Sequence, residues 1–154
     1  MKTQHNPCWV GLAAAMTIAS AASAADLDAA GTVKTSQGSV SIDRAGRALP
    51  AVPSTPVFAG DRVRTGADGY VGITLRDDTR LTAGPQSTLL ITDFQFYANT
   101  NAGSLVASLL KGTFSVVTGL IAKHSPQKVE FTTPTMTLSI RGTEFIVDVA
   151  GVPE

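Results

Sequence analysis

The stretch Thr65-Gly66-Ala67-Asp68-Gly69-Tyr70-Val71-Gly72-Ile73-Thr74-Leu75 sets a turn directly against a strand. Glycine and aspartate crowd residues 65–69, and both are residues that punctuate a chain rather than extend an element. From Tyr70 onward the apolar residues alternate, so that Val71, Ile73 and Leu75 fall on one face. A period of two belongs to a pleated strand, whereas a helix would repeat every three to four residues.

Outward from this stretch the alternation recurs. Met136, Leu138 and Ile140 alternate with hydroxyl residues, Phe145, Val147 and Val149 share a face of Glu144–Val149, and Val129 and Phe131 do so within Lys128–Thr132. One buried face and one wet face is the pattern of antiparallel sheets packed as a sandwich or barrel. After residue 24 the chain holds 13 Val, 6 Ile and 17 Thr, whose branched Cβ atoms favour strands. Turn residues fall at short intervals: Arg44-Ala45-Gly46-Arg47, Ala59-Gly60-Asp61, Asp77-Asp78, Ala83-Gly84-Pro85, Asn99 to Gly103, Lys111-Gly112 and Thr118-Gly119. Short strands spaced in this way predict an all-β fold, a single antiparallel β-sandwich or jelly-roll-like domain. Pro50-Ala51-Val52-Pro53-Ser54-Thr55-Pro56 reads as a stiff surface connector, because proline fixes φ and donates no hydrogen bond. Ser104–Leu110 fits a short helix or a strand. Phe94 and Phe96 point one way and Tyr97 the other, which reads as core.

The first residues are of another kind. Met1-Lys2 gives a positive start, an apolar run extends from Val10 to Ala22, and Ala22-Ser23-Ala24-Ala25 fits a small-residue cleavage pattern. A membrane anchor needs about 20 predominantly apolar residues; this run is shorter and ends in Ala and Ser. Residues 1–24 therefore read as a signal peptide, cleaved after Ala24 or, as second choice, after Ala25. Residues 25–154 read as the exported domain, periplasmic or secreted, with no membrane span once the signal is removed. Cys8 precedes the apolar run, whereas a lipidated cysteine would follow it.

The whole chain carries 12 Lys and Arg against 12 Asp and Glu; losing Lys2 with the signal leaves 11 against 12. Nucleic-acid binding normally shows as a basic excess, so no nucleic-acid partner is expected. Cys8 and Trp9 depart with the signal as well. No disulfide can then staple the remaining 130 residues, and the core alone must hold them. A chain of that size buries roughly two thirds of its unfolded surface.

Chemistry-bearing residues are sparse. His124 is the only histidine after the signal, and beside Ser125-Pro126 in a lysine-flanked segment it reads as an exposed loop residue rather than a general base. Asp61, Asp68, Asp77, Asp78 and Asp93 lie in or beside predicted turns, where aspartate caps local amides. They show neither the pairing of glycosidic cleavage nor the ligand density of a calcium loop. Gly66, Gly69 and Gly72 lead into a strand rather than a helix, so they form no phosphate-binding loop. The expectation is no enzyme, no catalytic residue, no cofactor and no metal.

Gly60-Asp61-Arg62-Val63-Arg64-Thr65-Gly66-Ala67-Asp68-Gly69-Tyr70-Val71, then Leu75-Arg76-Asp77-Asp78-Thr79-Arg80-Leu81 and Gly84-Pro85-Gln86-Ser87, resemble the FecR-domain family of bacterial periplasmic regulators. Leu109-Leu110-Lys111-Gly112-Thr113-Phe114, Val117-Thr118-Gly119, and Thr133-Pro134-Thr135 to Ile140-Arg141-Gly142-Thr143-Glu144-Phe145 extend the likeness over about residues 30–149. The signature residues are Gly60, Asp61, Thr65, Gly66, Asp68, Gly69, Gly84, Pro85, Gly112, Gly119, Pro134, Arg141, Gly142, Thr143 and Phe145. Their expected role is structural: Gly66 and Gly69 for turn positions with φ > 0, Asp61 and Asp68 for satisfying turn amides.

The resemblance implies a signalling or binding module of the cell envelope that works through a protein partner. Relatives that control iron uptake typically carry a cytoplasmic segment and a membrane helix, and here a short signal takes their place. Direct control of a sigma factor is therefore not expected. Relatives also usually continue past the strand containing Phe145, so the sheet there is either complete or left with an open edge that invites pairing. A structural or adhesive domain that binds glycan or peptidoglycan is the alternative.

Overall fold

The computed structural model describes residues 28–139 and 143–150. These form β1 (Gly31–Gln37), β2 (Val40–Arg44), β3 (Arg47–Pro50), β4 (Pro56–Val57), β5 (Arg62–Thr65), β6 (Tyr70–Leu75), β7 (Arg80–Ala83), β8 (Thr88–Tyr97), β9 (Ala102–Val117), α1 (Leu120–His124), β10 (Val129–Thr132), β11 (Thr137–Ser139) and β12 (Glu144–Val149). The fold is all-β, as the alternation predicts. No helix of the described residues is long and apolar enough to cross a membrane.

The layers of the expected sandwich are joined into one curled sheet, with β9 as the shared strand. One layer runs β4-β1-β6-β7-β9-β12 and the other β3-β2-β5-β8-β9-β10-β11. The N-terminal part of β9 lies between β8 and β10, its C-terminal part between β7 and β12. Pairing is antiparallel except between β10 and β9, which run parallel. Buried side chains from both layers make one cluster, including Val33, Ile42, Val63, Ile73, Leu89, Leu105, Phe114 and Phe131. Fully burying a side chain of this size contributes about 1.5–3 kcal/mol over leaving it exposed.

Lys111-Gly112 is expected as a turn, yet the strand continues through it. Gly112 adopts φ +100°, and a Cβ there would lie 2.6 Å from Ser87 Cα. The residue bends β9 where it passes from one layer to the other, a corner that a sheet turns by a bend or bulge within a strand. The buried set changes parity across it, from Leu105, Ala107 and Leu109 to Phe114 and Val116. A bulge at Thr92 does the same for β8, so the inward residues shift from Leu89 and Ile91 to Phe94 and Phe96. Tyr97 stays outside, 57% exposed.

Two edges of the sheet are blunted by sequence. β3 and β4 end the strand path and carry Pro50 and Pro56, where a missing N–H costs no ladder bond. The proline connector between them is a loop whose Ala51 is buried. Ser104–Leu110 is strand, part of β9. Met136, expected on the inward face, stands outside β11 at 55% exposure, because the chain turns at Thr133–Met136 before pairing begins. Ile140 lies outside the described residues.

Candidate functional site

Part of the signature gathers into knots that tie the layers together. In the first, β5 ends at Thr65, whose hydroxyl donates to the Gly84 carbonyl at 2.7 Å and accepts from the Ser87 amide at 2.8 Å. The Thr65 amide donates to the Ser87 carbonyl, and the Gly66 carbonyl accepts from the Gln86 amide, both at 2.9 Å. Gly66 also donates to the Ser39 carbonyl at 2.7 Å, while the Ser39 amide donates to Asp68 Oδ1 at 3.3 Å. Ser87 Oγ donates to the Pro85 carbonyl at 3.3 Å. Three connections, β1–β2, β5–β6 and β7–β8, are thereby sewn to one another.

Gly66 and Gly69 serve this knot differently from expectation. Neither has positive φ among the backbone conformations found; Gly38 does, at +64°. Close approach is the reason instead. A Cβ on Gly69 would sit 2.5 Å from the Ser39 carbonyl oxygen, and one on Gly66 would sit 3.0 Å from Ser39 Cβ.

A second knot forms at the other end of the β6–β7 hairpin. Asp77 is fully buried and accepts from the Thr79 amide at 3.1 Å and the Thr79 hydroxyl at 2.7 Å. The amide of Ile121, in α1, points to the same carboxylate at 3.4 Å. Thr79 Oγ1 in turn accepts from the Gly119 amide at 3.0 Å. A Cβ on Gly119 would come within 2.5 Å of the Thr79 nitrogen, so only glycine lets the chain pass this close.

Asp61 sits apart in an ion pair that sequence reading missed. Its carboxylate is 2% exposed and accepts from Arg44 Nε at 2.9 Å, Arg44 Nη2 at 2.6 Å and the Phe58 amide at 2.9 Å. Arg44 also donates to the Pro56 carbonyl at 3.0 Å and lies 4.5 Å from the centre of the Phe58 ring. The hydrogen bonds to Asp61, helped by its charge and opposed by burial, raise the arginine pKa above its ordinary value. Arg44 lies in a predicted turn 17 residues upstream, and no local pattern announces the pairing.

The remaining signature residues are spread over the surface and one edge. Gly60 is an open turn position at φ +91° with room for a side chain. Pro134 belongs to the turn before β11, where Thr133 Oγ1 accepts from the Met136 amide at 3.1 Å. The Thr143 carbonyl accepts from the Thr118 amide at 2.9 Å. Phe145 meets Phe131 edge-on, ring centres 5.4 Å apart, which links the two layers beside β12. Arg141 and Gly142 lie outside the described residues.

His124 is exposed at the end of α1. Asp93 accepts from Ser104 Oγ at 3.0 Å, and Asp78 is an exposed turn residue at φ +67°. Among the described residues no three His, Cys, Asp or Glu side chains gather as a metal site would require. The surface does hold a hollow of about 360 Å³ on the outer face of the first layer, lined by Lys34, Thr35, Tyr70, Gly72, Arg80 and Thr82, among others.

A family model described as FecR protein matches residues 61–152, from the buried partner of Arg44 through β12. No curated protein and no solved structure matches the chain.

Proposed function

Since the chain belongs to the FecR protein family, we propose that it is an exported, non-catalytic binding and signalling module of the bacterial cell envelope, acting through protein–protein contacts. The family match over residues 61–152 carries this reading, because the family is a regulatory one. The way the signature is spent supports it. Thr65, Gly69 and Gly119 are consumed in holding turns together, which leaves recognition to exposed strand edges and faces. Residues 1–24 act as the export signal and residues 25–154 as the module, in the periplasm or secreted. The test is crosslinking of the mature chain in the periplasm followed by affinity capture. One specific protein partner is expected; recovering none, under conditions that capture a known periplasmic complex, overturns the reading.

The hollow beside Tyr70 favours a second reading, a domain that binds glycan or peptidoglycan. Tyr70 is 41% exposed and stands among hydroxyl side chains and two cations, a combination able to stack on a sugar ring and hydrogen-bond its hydroxyls. It requires retention on cell-wall material at high salt that Tyr70→Ala abolishes. Retention that Tyr70→Ala leaves intact removes this reading.

A further inference from the structure

β12 ends the first layer, and among the described residues it pairs only with β9. Its outer edge presents backbone N–H and C=O groups, a template on which another strand can add. Unlike β3 and β4, this edge carries no proline along its six residues. Its inward row is also incompletely covered: Phe145 and Val147 are half-buried although they pack against the core. Beside them a groove of about 230 Å³ opens between Val147–Ala150 and the turn Thr133–Met136. On the outward side Glu144, Ile146 and Asp148 are exposed, Ile146 by 70%.

We propose that this edge is the docking site for an extended segment of a protein partner. The segment adds to β12 as a strand, with basic side chains outward and apolar ones toward the groove. Charge decides the occupant. Neighbours of Glu144 and Asp148 on the outer face are favoured when they are Lys or Arg, and Ile146 between them takes an apolar or β-branched neighbour. A second copy of this chain is disfavoured in the register centred on the strand. Antiparallel self-pairing centred on Ile146 would set Glu144 opposite Asp148 on both strands, and like charges directly opposite are destabilising. The inference deepens the proposed function and rests on it, supplying the surface and the chemistry of the partner.

The test uses the full chain and two capped peptides, one alternating Lys with Val and one alternating Glu with Val. The Lys peptide is expected to bind about tenfold more tightly than the Glu peptide and to slow hydrogen exchange of the Glu144–Val149 amides. The double variant Glu144→Lys, Asp148→Lys should reverse that preference. Both changed side chains are exposed, and an unaltered thermal midpoint verifies the fold. No binding of the Lys peptide, binding without protection of β12, or equal affinity for both peptides overturns the proposal. Self-association that Ile146→Arg abolishes overturns it too, in favour of a second copy. In cells, a photo-crosslinking residue at position 146 separates the two levels. A partner captured by general crosslinking but not from position 146 overturns the edge and leaves the binding function standing. Capture by neither route overturns both.

Discussion

Arg44 donates two hydrogen bonds to Asp61, Nε to Oδ1 at 2.9 Å and Nη2 to Oδ2 at 2.6 Å, and so fixes the end of β2 to the turn that opens β5. The carboxylate is buried and the guanidinium is one third exposed. Removing one partner of a fully buried pair costs about 3–5 kcal/mol. With solvent screening on the arginine side, Arg44→Ala should cost about 2 kcal/mol, read from the urea midpoint. Arg44→Lys should recover only part, because an ammonium cannot form the planar fork. The raised arginine pKa means that this side of the pair contributes fully below the unfolded value and fades only as pH rises through the folded one. From the arginine, then, no pH dependence is expected across the neutral range.

Four glycines form a graded series. Gly112→Ala combines φ +100° with a Cβ driven into Ser87 and should cost more than about 3 kcal/mol. Gly69→Ala meets the Ser39 carbonyl without a positive φ and should also be severe. Gly46, at φ +79° in open space, should lose only about 1–2 kcal/mol. Gly72→Ala finds ordinary contact with Thr35 Cβ at 3.6 Å, so stability should hold or rise by up to about 1 kcal/mol. Equal melting temperatures across the four would refute the account.

The hydroxyl and carboxylate of the two knots can be separated from their bulk. Thr65→Val keeps the shape but leaves the buried amide of Ser87 without its acceptor, at about 1–3 kcal/mol. Thr65→Ser should be nearly neutral. Asp77→Ala strips the acceptor from Thr79 and Ile121 together, and hydrogen exchange should quicken at α1 before the rest of the fold responds.

Processing makes a direct prediction at the N-terminus. Secreted protein should begin at Ala25, or at Asp26 by the second choice, when its intact mass is measured. Replacing Ala22 and Ala24 with Arg should block cleavage, since the site accepts only small residues. A mature product retaining residues 1–24 in the unaltered chain would exclude the assignment.

Much of this fold is written locally, and what is missing is non-local. Strands β6, β10 and β12 follow from alternation within six residues or fewer, because a half-buried sheet imposes period two. The role of Lys111-Gly112 could not be read this way. A glycine beside a lysine signals a turn and a strand bend alike, and only Ser87, next to the paired start of β8, decides between them. Gly66 and Gly69 were legible as required glycines, yet their reason is a neighbouring chain segment rather than their own φ. α1 has five residues, too few to show helical periodicity. Arg44 and Asp61 meet across 17 residues, and nothing in either neighbourhood marks the other.

The sharing of β9 governs how the molecule can come apart. Each layer needs the same strand, so neither can melt while the other survives, and unfolding should be a single transition. It also delays folding. β8 can meet β9 early as a hairpin, but β7 waits for residues 114–117 before it gains its β9 neighbour, and such distant pairings slow two-state β proteins toward milliseconds or seconds. A fragment ending before Ala102 lacks the strand that completes both layers, and it should remain an unfolded chain.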